Sequence, residues 1–587
     1  MLGIIAAVFL LLALRLVQVQ VLNGGRYAAY GQAETASSIT LPALRGTIYD
    51  RSGNVLAMSV ARETIVGDPH QVADPRGEAA RLAPVVGVAA SQLEKLLSEN
   101  AGFVYLAQQV TPQVADAVAK LKLPGITEKA TEGRVDPPGS LDQAIVGSVG
   151  IDSQPLSGLE YQDNKLLAGS TGEEVVNLAP GGIVLPGSRR VSRLAHAGDG
   201  LLLTIDDTLQ YQTMQALQAQ VASSGATYGT AIIMDPNTGA ILAMANVAGG
   251  ANGTARPATE NYAVTRVFEP GSVFKIVTFG TALQDGLITP TTTFSVPNQY
   301  NVGGALFHDA ETHPTEQLTA TQIIAQSSNI GTIKIAQMLG KGRLAAAISN
   351  FGFGEPTGLG FPGESWGIVR PVWNWSATAI GSTPIGQDDA VTALQALDMM
   401  NCVANGGYMI RPSLVQSVVA PDGTKHAVAA SPRRRILSTT TARTLATMLE
   451  QVVKVGTGVN AVVPGYTVAG KTGTANIPNH NGTGYAPGAF MATFAGFAPA
   501  QHPALSAIVV LDRPRQIYGG AASAPVFATI MQDALQRFGI PPSSAGAGST
   551  TVNGVTPAAP SAPSSQLTRQ PSPASGAHRS PAGGAGG

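Results

Sequence analysis

The 587-residue sequence has a single cysteine, Cys402. One thiol excludes an internal disulfide and any cage of cysteine ligands around a metal, and the apolar, helix-patterned surroundings of Cys402 suit a small buried hydrophobe. Charge is also scarce. Asp, Glu, Lys and Arg make up 12% of the chain, about half the usual share. Basic residues number 36 and acidic ones 37, for a net charge of −1. That balance carries no electrostatic footprint for nucleic acid, so no nucleic-acid partner is implied. No basic residue precedes Arg15, and no Glu-x-x-Asn pattern occurs between Asn329 and Lys471.

The length gives a prior of two to four domains. Met1 to Leu14 is apolar throughout; Arg15 interrupts, and Leu16, Val17, Val19, Val21 and Leu22 continue the run among glutamines. Residues 1–14 as a helix reach about 21 Å, short of the roughly 30 Å hydrocarbon core. We therefore expect residues 1–22 to be a membrane anchor, either part of a longer one or completed by snorkelling of Arg15. The lack of basic residues before the run favours a start inside a longer segment. Ala28-Ala29 lies far from the apolar run and makes a poor signal-peptide cleavage site. At the other end, Pro541 to Gly587 is dominated by Pro, Ser, Ala and Gly, has no acidic or aromatic residue, and is expected to be disordered.

Candidate chemistry lies in three short motifs. Glu269 to Thr278 reads Glu-Pro-Gly-Ser-Val-Phe-Lys-Ile-Val-Thr. Pro270 and Gly271 end an extended segment, and Ser272 opens a run to Ala282 with few residues that oppose helix. Lys275 then falls one turn on, on the same face as Ser272, so that hydroxyl and amine touch. Serine is a poor nucleophile unless a neighbour takes its proton, and lysine does so only when burial or nearby cations keep its amine neutral. The free N–H groups of the helix N-terminus can stabilise an oxyanion beside Ser272. Alone, Ser-x-x-Lys is a weak signal. Ser327-Ser328-Asn329 separates two apolar-rich segments and reads as a turn between helices, and Lys471-Thr472-Gly473-Thr474 ends a strand-like segment beginning at Tyr466.

In this order, on helix, turn and strand, Ser-x-x-Lys, Ser-x-Asn and Lys-Thr-Gly resemble the motifs of the penicillin-recognising serine acyltransferases, which include penicillin-binding proteins and class A β-lactamases. The stretch Arg45-Gly46-Thr47-Ile48-Tyr49-Asp50-Arg51-Ser52-Gly53-Asn54-Val55-Leu56-Ala57 alternates like a β-hairpin and resembles the segment just outside the membrane in class B penicillin-binding proteins. The order of elements from Phe103 to Ile126, continued by Arg134, Pro137, Gly158-Leu159-Glu160, Gly169 and Gly172, looks most like the septal, cell-division members. From the residues themselves, Arg45, Asp50 and Arg51 are expected to form a structural ion-pair network.

The resemblance implies an α+β fold: a penicillin-binding, serine β-lactamase-like transpeptidase domain, with helices on both sides of an antiparallel sheet, behind an elongated α+β pedestal and an N-terminal membrane helix. The boundaries expected are 1–22 for the anchor, 23–205 for the non-catalytic, dimerisation-like pedestal, 206–541 for the transpeptidase and 542–587 for the tail. The elements read from the sequence include a strand at 201–206, a helix at 207–223, a hairpin of 229–234 with 240–245, a helix at 392–404, strands at 492–498 and 504–511, and a closing helix at 525–538.

The activity implied is acyl transfer through an ester on Ser272, with peptidoglycan stem peptides ending in D-Ala-D-Ala as donors and an amine of a neighbouring stem as acceptor. In that scheme Lys275 takes the hydroxyl proton and Ser327 relays a proton to the leaving nitrogen. Asn329 binds the donor and orients Lys275, and Lys471 adds positive potential. Thr472 and Thr474 bind the terminal carboxylate, Gly473 lets the substrate backbone approach an edge strand, and the N–H groups of Ser272 and Thr474 form the oxyanion hole. β-Lactams are expected as inhibitors. The partners implied are the cytoplasmic membrane, a polytopic glycosyltransferase and other division proteins.

No cofactor or metal is implied. His308, Asp309, Glu311 and His313 sit in one loop and are expected to be loop hydrogen-bonders, so that replacing Asp309 leaves acylation unchanged. Three rivals share the motifs. A class A β-lactamase lacks a pedestal and needs the Glu-x-x-Asn carboxylate; a D,D-carboxypeptidase differs only in using water as acceptor; a β-lactam sensor or division scaffold keeps the site without turnover.

Overall fold

The computed structural model describes residues 2–23, 25, 36–179, 183–479 and 484–543. Ala28-Ala29 and all but the first two residues of the expected tail at 542–587 lie outside them. With no charge before Arg15, the start of the chain forms helix α1 (Leu2–Val17), continued by a π-helical turn at Gln18–Leu22. Residues 2–22 at helical rise reach about 30 Å, so the apolar segment outlasts the stretch that ends at Leu14. The window Gly3–Gln20 has a mean hydropathy of 2.0 and none of it is buried; among the described residues it is the one helix long and apolar enough to cross a membrane.

Three antiparallel strands organise the segment that follows. β1 (Val55–Gly67) pairs on one side with β2 (Val104–Val110) and on the other with β3 (Ile126–Val135). Their core is Ile65, Leu82, Leu93, Leu97, Leu106 and Val118. The Arg45–Ala57 hairpin forms through Ile48–Tyr49 and β1, and Ile48–Tyr49 also pairs in parallel with Leu201–Leu202.

The expected network of Arg45, Asp50 and Arg51 does not form. Arg45 and Arg134, both buried, instead converge on Glu160, which is 1% exposed. Asp50 accepts the N–H groups of Ser52 and Asn54 at 2.8 Å and fixes the hairpin turn, while Arg51 lies over the Phe538 ring. Side chains of an extended segment alternate between faces, so neighbours in sequence part company here.

The larger sheet begins after helix α2 (Asp207–Ser224), which Asp206 caps through its carboxylate and the N–H of Leu209. Strands β4 (Tyr228–Met234), β5 (Ile241–Gly249), β6 (Ala255–Pro257), β7 (Ala469–Pro478), β8 (Tyr485–Ala498) and β9 (Leu505–Asp512) form one antiparallel sheet, with β6-β5-β4-β9-β8-β7 as its spatial order. Alternate residues of β4 serve different cores. Ala231 and Ile233 pack with α2 and the closing helix, and Ile232 and Met234 pack with helices α3 (Lys275–Gln284), α4 (Ala320–Gln326), α5 (Asn329–Asn350), α6 (Ala393–Ala404) and α7 (Thr439–Lys454). The closing helix is α8 (Ala524–Arg537). A sheet buried on both faces reads as near-continuous apolar strands, and burial is continuous along β4 and β9. β7, which carries Lys471, is an edge.

Candidate active site

Ser272 does not open an α-helix directly. Gly271–Phe274 is a 3-10 turn, and α3 begins at Lys275. Gly271 has φ of +53°, and a Cβ there would lie 2.8 Å from the carbonyl oxygen of Thr474. Only glycine meets both demands, the left-handed backbone and the close approach of the turn to β7. Gly271 N–H bonds to the carbonyl of Gly386, which fastens the turn from its other side.

α3 is buried from Lys275 to Ala282, so the aliphatic stem of Lys275 sits among apolar side chains and its amine must find partners at the tip. It donates to the carbonyl of Ser327 at 2.5 Å, to Asn329 Oδ1 at 2.8 Å and to Ser327 Oγ at 3.3 Å. The direct contact expected between Lys275 and Ser272 is not made: among the described residues the Ser272 hydroxyl has no hydrogen-bond partner. It is half-buried.

The Ser327-Ser328-Asn329 segment is the expected turn. Ser327 ends α4 in the left-handed region at φ of +62°, and Ser328 caps α5 through its hydroxyl and the N–H of Gly331. A non-glycine residue held there is strained by of order 1 kcal/mol and marks a position that the surroundings over-determine. Those surroundings include Asp309, whose part in the site the sequence reading missed. Its carboxylate accepts the N–H of Asn329 at 2.5 Å, the N–H of Ile330 at 2.9 Å, the Ser328 hydroxyl at 2.7 Å and His313 Nε2 at 3.2 Å. Asp309 thus clamps the N-terminus of α5, where a carboxylate also meets the helix dipole favourably. Asn329 Nδ2 donates to the His308 carbonyl at 3.0 Å, which turns its Oδ1 to Lys275. No sequence spacing links a loop aspartate to a helix that starts twenty residues later. His308 ends a strand, Ala305–His308, paired with Gln299–Val302, so the first of the four loop residues is held by a β-hairpin and the other three follow it.

Lys471, Thr472, Gly473 and Thr474 lie on the expected strand, β7, which begins at Ala469 rather than at Tyr466 and continues past them to Pro478. Lys471 Nζ donates to Ser327 Oγ at 2.9 Å and to the carbonyl of Thr472 at 3.2 Å. Thr472 Oγ1 is 2.6 Å from the Thr457 hydroxyl, and Thr474 Oγ1 accepts the N–H of Gly519 at 3.3 Å. A Cβ on Gly473 would come within 2.9 Å of the Pro270 carbonyl and of a Val273 methyl. The missing side chain therefore makes room for the serine turn rather than for a ligand.

Both amines are fully buried. Burial brings the Lys275 pKa down to about 7, with the Asp309 carboxylate pulling the other way, and burial plus the Lys275 charge push Lys471 well below the ordinary lysine range. Burial and the neighbouring Lys275 thus work against the positive potential expected from Lys471. One residue more belongs here. Glu269, three positions before Ser272, is 8% exposed, and burial above all holds its carboxyl up to about 7.

A family model described as the penicillin binding protein transpeptidase domain matches residues 229–532, and another, the penicillin-binding protein dimerisation domain, matches residues 40–203. The penicillin-binding protein PbpB of Mycolicibacterium smegmatis is 34% identical over 585 residues, covering 92% of this chain and 89% of that one. The peptidoglycan D,D-transpeptidase FtsI of Escherichia coli is 34% identical over 514 residues, covering 85% and 84%. The crystal structure of penicillin-binding protein 3 from Mycobacterium tuberculosis with aztreonam superposes with a TM-score of 0.68 at 30% identity, covering 86% of this chain and 98% of that one.

Proposed function

The chain belongs to the class B penicillin-binding proteins, and from that premise we propose that it is a serine D,D-transpeptidase of septal peptidoglycan synthesis in which Ser272 is the nucleophile. The observation that carries the site assignment is the Lys275 amine, fully buried and bonded to a carbonyl, an amide oxygen and a hydroxyl but to no carboxylate. Such an amine is a base at neutral pH.

Ser272 Oγ attacks the carbonyl carbon of the penultimate D-alanine, and its proton passes to Lys275 Nζ. The oxyanion is met by the N–H groups of Ser272 and Thr474. Lys275 returns the proton through Ser327 Oγ, 3.3 Å away, to the amide nitrogen of the terminal D-alanine, which leaves. The terminal carboxylate lies against Lys471, Thr472 and Thr474, and its negative charge draws a proton onto Lys471, so that Lys275 stays free to act as base. An amine of a second stem peptide then attacks the ester carbonyl and loses a proton to Lys275, which passes it to Ser272 Oγ as that oxygen leaves and the cross-link is formed. A β-lactam follows the first half of this course, and its opened ring remains on Ser272. Aztreonam and ampicillin are bound to the Mycobacterium tuberculosis relative.

Residues 1–22 anchor the chain by α1 in the cytoplasmic membrane, with the body outside; residues 23–205 are the pedestal and 206–541 the transpeptidase. A polytopic glycosyltransferase and other division proteins are the partners of this reading. Fluorescent penicillin should label the protein covalently, and Ser272→Ala should abolish the label. With lipid-linked disaccharide-peptide polymer, cross-linked muropeptide dimers are the expected product, and shortened monomers alone would replace the transpeptidase with a carboxypeptidase.

A further inference from the structure

Glu269 is buried beside the nucleophile, and among the described residues no cation pairs with it. Tyr485 OH donates to its two carboxylate oxygens at 3.2 and 3.1 Å, and the N–H of Asp388 donates at 3.2 Å. Among the described residues it makes no ion pair. Its neighbours add negative charge. Asp388 is next to it, and Asp389, 1% exposed, has one carboxylate oxygen without a partner among the described residues. Among the described residues the cation that acts on it is Arg370, which is 60% exposed and turned to Asp388 at 3.8 Å. Three carboxyl groups against one guanidinium are costly to hold ionised together; the cost is met by protonation, as the raised Glu269 pKa shows, or by a ligand that brings positive charge.

The position along β7 says what that ligand is, on the reading of the reaction given above. Tyr485 stands opposite Pro478, four residues along β7 from Thr474, or about 13 Å. A donor whose terminal carboxylate lies at Lys471 and Thr474 runs from there toward Pro478. The residue before its two D-alanines is one strand step past Ser272, and an extended lysine-like side chain reaches about 6 Å farther. Cross-linking requires every stem peptide to carry a side-chain amine, so each donor brings an ammonium to this distance. We propose that the Glu269 carboxylate, backed by Asp388 and steadied by Tyr485, binds the side-chain ammonium of the diamino acid of the stem peptide. The site selects stems whose amine is still free.

The test uses the full-length protein in detergent with two thioester analogues of a stem peptide, one with the side-chain amine free and one with it acetylated. Thiol release gives kcat/KM for each, and their ratio is internal to one preparation. The wild type should prefer the free amine, and Glu269→Gln should lower that ratio about tenfold. Tyr485→Phe, which keeps the charge, should lower it less. Fluorescent penicillin on the same samples reports whether the variants are folded, and Tyr485→Phe carries the test if Glu269→Gln is not. An unchanged ratio in a variant that still takes up penicillin overturns the inference and leaves Ser272 as nucleophile untouched; a wild type that takes up no penicillin overturns both. The ammonium could belong to the acceptor strand instead of the donor. Adding an amine acceptor and following aminolysis against hydrolysis separates them: a loss confined to aminolysis assigns the site to the acceptor and overturns the donor placement.

Discussion

The amines of Lys275 and Lys471 both reach the hydroxyl of Ser327, at 3.3 and 2.9 Å. Two ammonium groups a hydroxyl's width apart repel by on the order of 3 kcal/mol even at an effective dielectric of 20. In a fully buried site they therefore carry at most one proton between them at neutral pH. Ser327 joins the serine helix, the turn and the edge strand through one oxygen, and among the described residues that oxygen is the hydroxyl within reach of both amines, placed to hand a proton from one to the other.

The pH dependence of acylation follows from that arrangement. Burial brings Lys275 to about 7, so its amine is protonated and useless as a base below that pH and free above it. The rate of covalent β-lactam uptake should rise with pH through about 7 and then level off. Lys275→Arg, whose guanidinium never gives up its proton, should cost a factor of about 10²–10⁴ and remove the rise. A flat profile in the wild type would exclude Lys275 as the base.

Asp309 gives a prediction opposite to the one its sequence context suggests. Its carboxylate holds the N–H groups of Asn329 and Ile330 and the Ser328 hydroxyl, so Asp309→Ala should loosen the turn that positions Ser327 and Asn329. Acylation should fall by about ten- to a hundredfold, in the range that misplacing a catalytic group costs. A second readout distinguishes positioning from general damage. The Asp309 charge raises the Lys275 pKa, so in Asp309→Asn the midpoint of the pH profile should move to lower pH. A normal rate with an unmoved midpoint would make Asp309 an ordinary loop residue.

How far the sequence could be read depended on the range of the interactions. Ser272, Ser327 and Lys471 were legible because local chemistry marks each one: a helix start after Pro-Gly, a polar turn between apolar segments, a threonine- and glycine-rich edge strand. The strands of the sheet were legible because burial on both faces leaves long apolar runs such as Ala504 to Leu511. Contacts closed in three dimensions were not. The reach of Asp309 to α5 spans twenty residues, and the amine of Lys275 turns toward Ser327 rather than to its sequence neighbour Ser272. Gly473 is glycine because of Pro270 and Val273, two hundred positions earlier. Glu269 stands inside the most informative motif of the chain, yet its burial without a cation depends on Tyr485 and Asp388, which no local pattern connects to it.

The buried ions of the pedestal offer a test of stability independent of catalysis. Arg45 and Arg134 both pair with Glu160, and all three are buried. Arg45 also donates to Asn164 Oδ1 at 2.7 Å and to the carbonyl of Glu160, so the group is satisfied on several sides. Removing Glu160 leaves two guanidinium groups out of water with no carboxylate paired to them, which costs about 3–5 kcal/mol, whereas replacing a whole buried ion group by apolar residues is often neutral. Glu160→Gln should therefore lower the midpoint of urea unfolding markedly, and the triple replacement Arg45→Met, Glu160→Leu, Arg134→Met should lower it less than the single change does. Because Leu159, beside Glu160, packs in the same core as Ile205 and Phe274, the loss should appear in the unfolding of the whole body and not of the pedestal alone. A triple variant less stable than Glu160→Gln would mean that the three charges stabilise the native fold by more than their mutual compensation.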